Sequence, residues 1–261
     1  MFGAIVLRDV PKEQARIDLT KHEIRGGFRG FGQVPPKLWH YVSVKSGAHH
    51  VGFWCYLGPR QVVVKVFDPE KGFQDADAET QAQFAELVLG GAMGPALLDY
   101  PHAQLGPWLG MVNFIPEQGF PPQLHVVEEG SGSRFDKAYL ISHAGDAASF
   151  LAEFQYTFAS WLVSLDTATQ DRAGFERWRH LVLAAYNAGE DRIRAGGNLF
   201  AQLVDVMLHQ FAVLPDDWFK AESFLVSSQA GYMSEDMVDT GIPELVEKGQ
   251  AFEAYLALRK M

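Results

Sequence analysis

A chain of 261 residues is longer than one average hydrophobic core requires, and 48% apolar residues with 13% aromatics can fill two modest domains. That aromatic content excludes a disordered chain, and a formal charge of -10 disfavours direct binding to nucleic acid, whose phosphates select clustered Lys and Arg. The single cysteine, Cys55, allows no intrachain disulfide and fits a reducing compartment. No window approaches the roughly 18 consecutive apolar residues of a membrane helix. The first ten residues lack a basic segment followed by an apolar core, so the chain reads as cytoplasmic or nuclear, with no membrane partner.

The N-terminal third reads as strands. Ala4-Ile5-Val6-Leu7 comes first, then the alternating stretch Arg16 to Thr20, then Leu38 to Val42, each punctuated by glycine or proline. His50 to Leu57 and Gln61 to Phe67 are separated by Gly58-Pro59-Arg60, which predicts a hairpin with a short loop. Residues 1–120 are thus expected to form a mostly antiparallel, sandwich-like β-rich domain with one or two helices. The first helix is expected over Asp75 to Leu89, with Phe84, Leu87 and Val88 at helical spacing ahead of the stop signal Gly90-Gly91. The second starts near Tyr100-Pro101 and carries Leu105, Trp108, Leu109, Val112 and Phe114.

Residues 121–145 hold Pro121-Pro122 and Glu128 to Ser133, the most linker-like composition in the chain. Beyond it, residues 146–261 read as all helix. Asp146 caps a helix with Phe150, Leu151, Phe154, Phe158, Trp161, Leu162 and Leu165 at steps of three and four. A second, capped near Asp171, buries Phe175, Trp178, Leu181, Val182 and Ala185. Asn198 caps a third, bearing Leu199, Leu203, Val206, Met207 and Gln210 until Pro215; Asp216 or Asp217 starts a fourth; Pro243 opens the last. Five helices with short connections make a bundle or superhelix.

No pattern in this chain carries catalytic, cofactor or metal chemistry. Gly26-Gly27-Phe28-Arg29-Gly30-Phe31-Gly32 tempts a phosphate-loop reading, but Val34-Pro35-Pro36 follows where a helix would have to start, so the segment is read as a structural turn. His49 and His50 are neighbours that point to opposite strand faces, and His102, His143, His180 and His209 lack the spacing that puts two on one helical face. Glu128-Glu129 and Asp216-Asp217 read as solvated or capping residues. Gly130-Ser131-Gly132 lacks the spacing of a hydrolase elbow, and Cys55 has no local base. The aromatic positions Phe154, Phe158, Trp161, Phe175 and Trp178 have core spacing, with a ligand pocket as the alternative.

Several short motifs, in order, resemble the cistron-splicing factor (Aar-two) family, whose eukaryotic members assist assembly of the U-five small nuclear ribonucleoprotein (snRNP). In the first half these are Val10-Pro11-Lys12, Ile17-Asp18, Phe28-Arg29-Gly30, Pro35-Pro36, His40-Tyr41, Tyr100-Pro101 leading to Trp108, and Asn113-Phe114-Ile115. In the second they are Glu153-Phe154-Gln155-Tyr156, Phe175-Glu176-Arg177-Trp178-Arg179, Leu208-His209-Gln210 and Leu214-Pro215-Asp216-Asp217-Trp218-Phe219. The resemblance implies an α+β two-domain protein, a β-rich domain followed by a helical domain like the VHS superhelix. It also implies a non-enzymatic chaperone that holds the large pre-mRNA-processing scaffold protein, number eight of its series, through its RNase H-like and Jab/MPN domains and delays docking of the partner helicase.

The resemblance implies a much longer connection in the eukaryotic members where this chain has Gln118 to Gly145, and a C-terminal extension that pairs as a strand is not expected here, since Phe252 to Arg259 reads as helix. Three functions are therefore weighed: an assembly factor for a spliceosomal scaffold protein, the same fold serving a non-spliceosomal complex, and a small-molecule-binding protein or enzyme with an interdomain pocket near Trp108, His125 and Trp178. For the first two, Trp218-Phe219 is read as the partner anchor, with burial in the core as the alternative.

Overall fold

Among the described residues nine strands run in chain order as β1 (Gly3–Arg8), β2 (Gln14–Ile17), β3 (Thr20–Glu23), β4 (Gly30–Val34), β5 (Leu38–Ser46), β6 (His49–Leu57), β7 (Val62–Asp68), β8 (Gly72–Asp75) and β9 (Leu98–Asp99). The structure is a computed structural model and describes residues 2–118, 147–214 and 223–260. It divides into two units, Met1–Leu109 with Leu162–Gln170, and Gly110–Trp161 with Asp171–Met261. The linker expected at 121–145 lies outside the described residues.

In the first unit one sheet has the order β8-β7-β1-β4-β9 and the other β3-β2-β5-β6. The four-stranded sheet is antiparallel throughout; the five-stranded one is mixed, with β1–β7 and β4–β9 parallel. The sequence at β1 shows why. Ala4, Ile5, Val6 and Leu7 are all buried, as in a strand covered on both faces. Ile5 and Leu7 join Phe31, Val42, Val44, Cys55, Leu57 and Phe67 in a core between the two sheets, whereas Ala4 and Val6 pack with Val62, Val64 and Met93 against the helix α1 (Ala78–Leu89). That helix starts at Asp77, whose carboxylate accepts from the Thr80 backbone N–H, and it lays Phe84, Ala85 and Val88 on the sheet. Leu87, expected on the same face, is exposed instead.

Three local expectations are corrected. β6 and β7 do not form a hairpin across Gly58-Pro59-Arg60: they belong to different sheets, and the loop carries the chain between the layers. β6 pairs with β5 across Gly47-Ala48, where Gly47 has φ 64, and β7 pairs in parallel with β1. The alternating stretch Arg16 to Thr20 is also not one strand. It turns at Asp18-Leu19 into the antiparallel pair β2–β3, with Asp18 at φ 52. The glycine-rich segment is a turn only as far as Gly27, and from Gly30 it is the strand β4.

The second unit is helical among its described residues. After α2 (Leu105–Val112) come α3 (Ala147–Ser164), α4 (Arg172–Tyr186), α5 (Glu190–Ala195), α6 (Gly197–Val213), α7 (Ser228–Asp239) and α8 (Pro243–Lys260). Asp171 caps α4 as expected, accepting from the Gly174 N–H, and the aromatic positions of α3 and α4 are core: Trp161 and Trp178 stack at 5.9 Å and 10°. Asn198 caps nothing. α6 begins at Gly197, immediately after the short α5, which was not anticipated because Arg192, Arg194 and two acids leave Ile193 as its one buried residue. α7 was also missed; Ala230, Met233 and Met237 form its buried stripe among polar residues and Gly231. Gly249 lets α8 approach α7 closely, since a Cβ there would lie 3.0 Å from Met237 and from the Ser234 carbonyl.

Gly30 is the position where the sandwich tolerates least. Its φ is 129, and a Cβ would stand 2.0 Å from the Ile5 carbonyl oxygen of the paired strand. Gly30→Ala is expected to lower stability by about 3 kcal/mol or more, combining a strained φ with a backbone clash, as read by chemical denaturation.

Candidate functional site

The turn at Asp18 sets up a buried polar cluster in the first unit. A two-residue turn with positive φ at its first central position usually takes glycine. Here it holds an aspartate that is 1% exposed, with hydrophobic Ile17 before it in the core. The carboxylate is saturated with donors. Oδ2 accepts from the Tyr100 hydroxyl at 2.8 Å and faces His40 Nδ1 at 2.8 Å, and Oδ1 accepts from the Tyr41 backbone N–H at 2.9 Å. On the main chain, the Asp18 N–H donates to the Tyr41 carbonyl at 2.8 Å and its carbonyl accepts from Arg16 Nε at 2.6 Å.

His40 is fully buried, and its second nitrogen, Nε2, lies 2.8 Å from the Pro35 carbonyl. A carboxylate and a carbonyl can only accept, so both ring nitrogens donate and the ring is an imidazolium paired with Asp18. Burial alone would pull the His40 pKa down, but the Asp18 charge and hydrogen bond, with the Pro35 carbonyl, outweigh it and hold the pKa above its ordinary value. Burial and the Asp18 charge push the Tyr100 hydroxyl upward, so it stays protonated as a donor. Across the β5–β6 pair from His40 sits Cys55, whose thiol burial pushes up to about 12. That thiol is inert at neutral pH.

An Asp–His–Tyr set invites an acid–base reading, but His40 has no ring nitrogen left to exchange a proton with a substrate, and the group is closed to solvent. Its chemistry is structural. It clamps the β2–β3 turn, the Pro35 bend, the start of β5 and the segment after β9 to one carboxylate.

The outer face of the four-stranded sheet carries a second polar group in the same unit. Asp166 takes Arg16 at 3.0 Å on one oxygen and Lys21 at 2.8 Å on the other, while its carbonyl accepts from the His50 N–H at 2.8 Å. Burial alone would push the Asp166 carboxyl up, but the Lys21 hydrogen bond and the Lys21 and Arg16 charges prevail, and its pKa is lowered. Trp108 covers the same face, stacked on Trp54 at 5.8 Å with its indole N–H donated to the Trp39 carbonyl. None of the sequence signals pointed to Asp166, because it stands 150 residues from Arg16 in the chain.

The helical unit has a matching interior. Gln155, fully buried, accepts from the Phe114 N–H at 2.8 Å and donates to the Gly110 carbonyl at 2.9 Å and Asn113 Oδ1 at 2.6 Å. Glu153 pairs with Arg177 at 2.6 Å. Gln210 accepts the Trp178 indole N–H at 2.7 Å and donates to the Phe154 carbonyl at 3.3 Å. Gly110 is glycine because a Cβ there would meet the His209 ring at 2.3 Å.

The residues of the motifs that carry the resemblance divide between interior and surface. Pro35, Tyr100, Trp108, Phe175, Trp178 and Gln210 are buried, Phe28 packs on Phe31, and Pro36 and Pro101 are half-buried. Arg29 and His209 are exposed. Pro215, Asp217, Trp218 and Phe219 lie outside the described residues, as does His125. Among the described residues no three His, Cys, Asp or Glu side chains are placed to hold a metal ion, and no helix is long and apolar enough to cross a membrane.

Comparison with known proteins covers both units. A family model described as the AAR2 N-terminal domain matches residues 2–121, and one described as the AAR2 C-terminal repeat region matches residues 115–259. The chain is 30% identical over 128 residues to the Protein AAR2 homolog of Homo sapiens, a match covering 44% of this chain and 32% of that protein.

Asp18→Asn is expected to cost about 3 kcal/mol, because a buried imidazolium loses its counter-charge. Urea denaturation reads the loss, and an NMR titration should show the His40 pKa falling below its ordinary value. The pH dependence has a definite sign. A His whose folded pKa is raised contributes stability that is fully present below its unfolded value, about 6.5, and is lost as pH rises through the folded value. Wild-type stability should therefore decline as pH rises from about 6.5 through the raised folded value of His40, and the Asp18→Asn variant should lose this slope.

Proposed function

Because the chain belongs to the AAR2 family, matched by its two family models from residue 2 to residue 259, we propose that it is a non-enzymatic assembly factor that binds one large protein. By the resemblance of its motifs to the Aar-two splicing factors, that protein is the scaffold of the U-five snRNP, held during snRNP biogenesis in the cytoplasm or nucleus. The VHS-like reading of the helical unit belongs to the same proposal, as does the division into a β-rich domain, a linker over 121–145 and a helical domain over 146–261.

The observation that carries it is where the family motifs lie. Most of their described residues are buried, and the polar ones among those are bonded within their own unit, so they hold each unit's interior together. A protein whose signature is its interior acts through its surface. The reading as a small-molecule-binding protein or enzyme loses support on the same ground. Trp108 and Trp178 are each fully buried, and each spends its indole N–H on a partner within its own unit.

The match to the human protein covers 32% of that protein's length, so the client is settled by experiment. Tagged full-length chain isolated from its own cells should bring down one large protein near stoichiometry. Recovery of the U-five scaffold supports the spliceosomal reading, and recovery of another large protein supports the same fold serving a different complex. Recovery of no protein overturns both. Trp218 and Phe219 are proposed as the anchor, so Trp218→Ala should reduce capture at least about tenfold, the typical effect of a hot-spot truncation, with an unchanged circular dichroism spectrum. Loss of the spectrum instead would place Trp218 in the core.

A further inference from the structure

The segment Arg25-Gly26-Gly27-Phe28-Arg29-Gly30 holds the two arginines of the chain that precede a glycine. The structure treats them differently. Arg25 opens a turn closed by the Phe28 N–H donating to the Arg25 carbonyl at 3.2 Å, and Arg25, Gly26 and Gly27 are all exposed. The Arg25 guanidinium makes no ion pair or hydrogen bond among the described residues. Phe28, half-buried against Phe31, anchors the far side of the turn, so the loop is held outward on one aromatic foot.

The glycines add a second observation. Gly27 has φ 95, which the turn requires. Gly26 has no such constraint: its φ is not in the left-handed region, and a Cβ built on it meets nothing within 4 Å. The fold does not demand glycine there. A bare backbone beside an exposed, uncommitted arginine instead suits a molecule that must approach the main chain closely to reach the guanidinium. Arg29 is the internal contrast. Its side chain is exposed, but its N–H donates to the Ala96 carbonyl at 2.8 Å and its carbonyl accepts from Leu7 at 2.8 Å, and Gly30 behind it is pressed against Ile5. No enzyme groove can take up that backbone without parting β1 from β4.

We propose that Arg25 is an arginine-methylation site and that Arg29, in the folded protein, is not. The reaction transfers a methyl group from a sulfonium donor such as S-adenosylmethionine to a terminal nitrogen of Arg25. The S–CH3 bond breaks, an N–CH3 bond forms, the nitrogen gives up one proton, and the neutral thioether leaves. The guanidinium keeps its positive charge and loses one N–H donor for each methyl, which weakens two-pronged hydrogen bonding to a carboxylate without altering electrostatic attraction. The inference is independent of the assembly reading, and neither falls with the other.

The test uses the full folded chain with radiolabelled S-adenosylmethionine and a glycine-arginine-directed protein arginine methyltransferase, followed by peptide mapping. Native protein should carry label on Arg25 and none on Arg29. Arg25→Lys should lose the label while melting at the wild-type temperature, since the side chain has no partner to lose; Arg29→Lys should keep it. Heat-unfolded protein should become labelled at Arg29 as well. Absence of label on native protein, label surviving in Arg25→Lys, or equal native labelling of both arginines would each overturn the proposal.

Discussion

Asp18 is a charged residue in an apolar core, and the β unit is arranged around what that requires. An ionised carboxylate moved out of water is stable only with donors on its oxygens and an opposite charge in contact. His40, Tyr100 and the Tyr41 N–H meet that need, the neighbours His40 and Tyr41 from β5 and Tyr100 from the segment after β9. The requirement propagates outward. His40 in turn needs an acceptor for its second nitrogen and takes the Pro35 carbonyl, which ties the Pro35-Pro36 bend to the sheet. The positive φ at Asp18 is held by the same bonds, so the turn that brings β3 back along β2 and the ion pair that fills the core stand or fall together.

The helical unit solves a similar problem with neutral groups. Gln155 and Gln210 are amides in an apolar interior, and each joins segments distant in sequence: Gln155 the Gly110–Phe114 segment, Gln210 the indole of Trp178 and the Phe154 carbonyl. Buried hydrogen bonds specify geometry more sharply than apolar packing does, because a slip of a few tenths of an ångström leaves a donor or acceptor unpaired. Asp18, His40, Tyr100, Gln155, Trp178 and Gln210, all in the motifs that carry the resemblance, lie at these points, where a substitution would leave a buried group unpaired.

Legibility differed by the range of the interaction. The apolar run Ala4 to Leu7 and the three- and four-residue steps of α3, α4 and α6 announced their elements because burial repeats with the period of the backbone. The cap at Asp171 was readable for the same local reason. α5 and α7 were not, since a short helix with one buried residue, or one with a narrow stripe of Ala and Met beside Gly231, leaves no strong periodic trace. The false hairpin at Gly58-Pro59-Arg60 had every local mark of a turn between strands. What separated the strands was β1, whose inner and outer faces were both waiting for partners and which took β7 in parallel.

By itself the sequence determined the class of each half, a β-rich layer structure and then helices, together with the family to which the ordered motifs point. It did so because periodicity, capping and turn chemistry act over a few residues. Tertiary structure alone decided which strands share a sheet, that the aspartate after Ile17 faces a histidine and a tyrosine, that Asp166 closes on Arg16, and that the Arg29 backbone is bonded on both sides while the Arg25 side chain has no partner among the described residues. Each of these depends on groups far apart in the chain meeting in a low-dielectric or sterically closed place, and no pattern along the sequence records such a meeting.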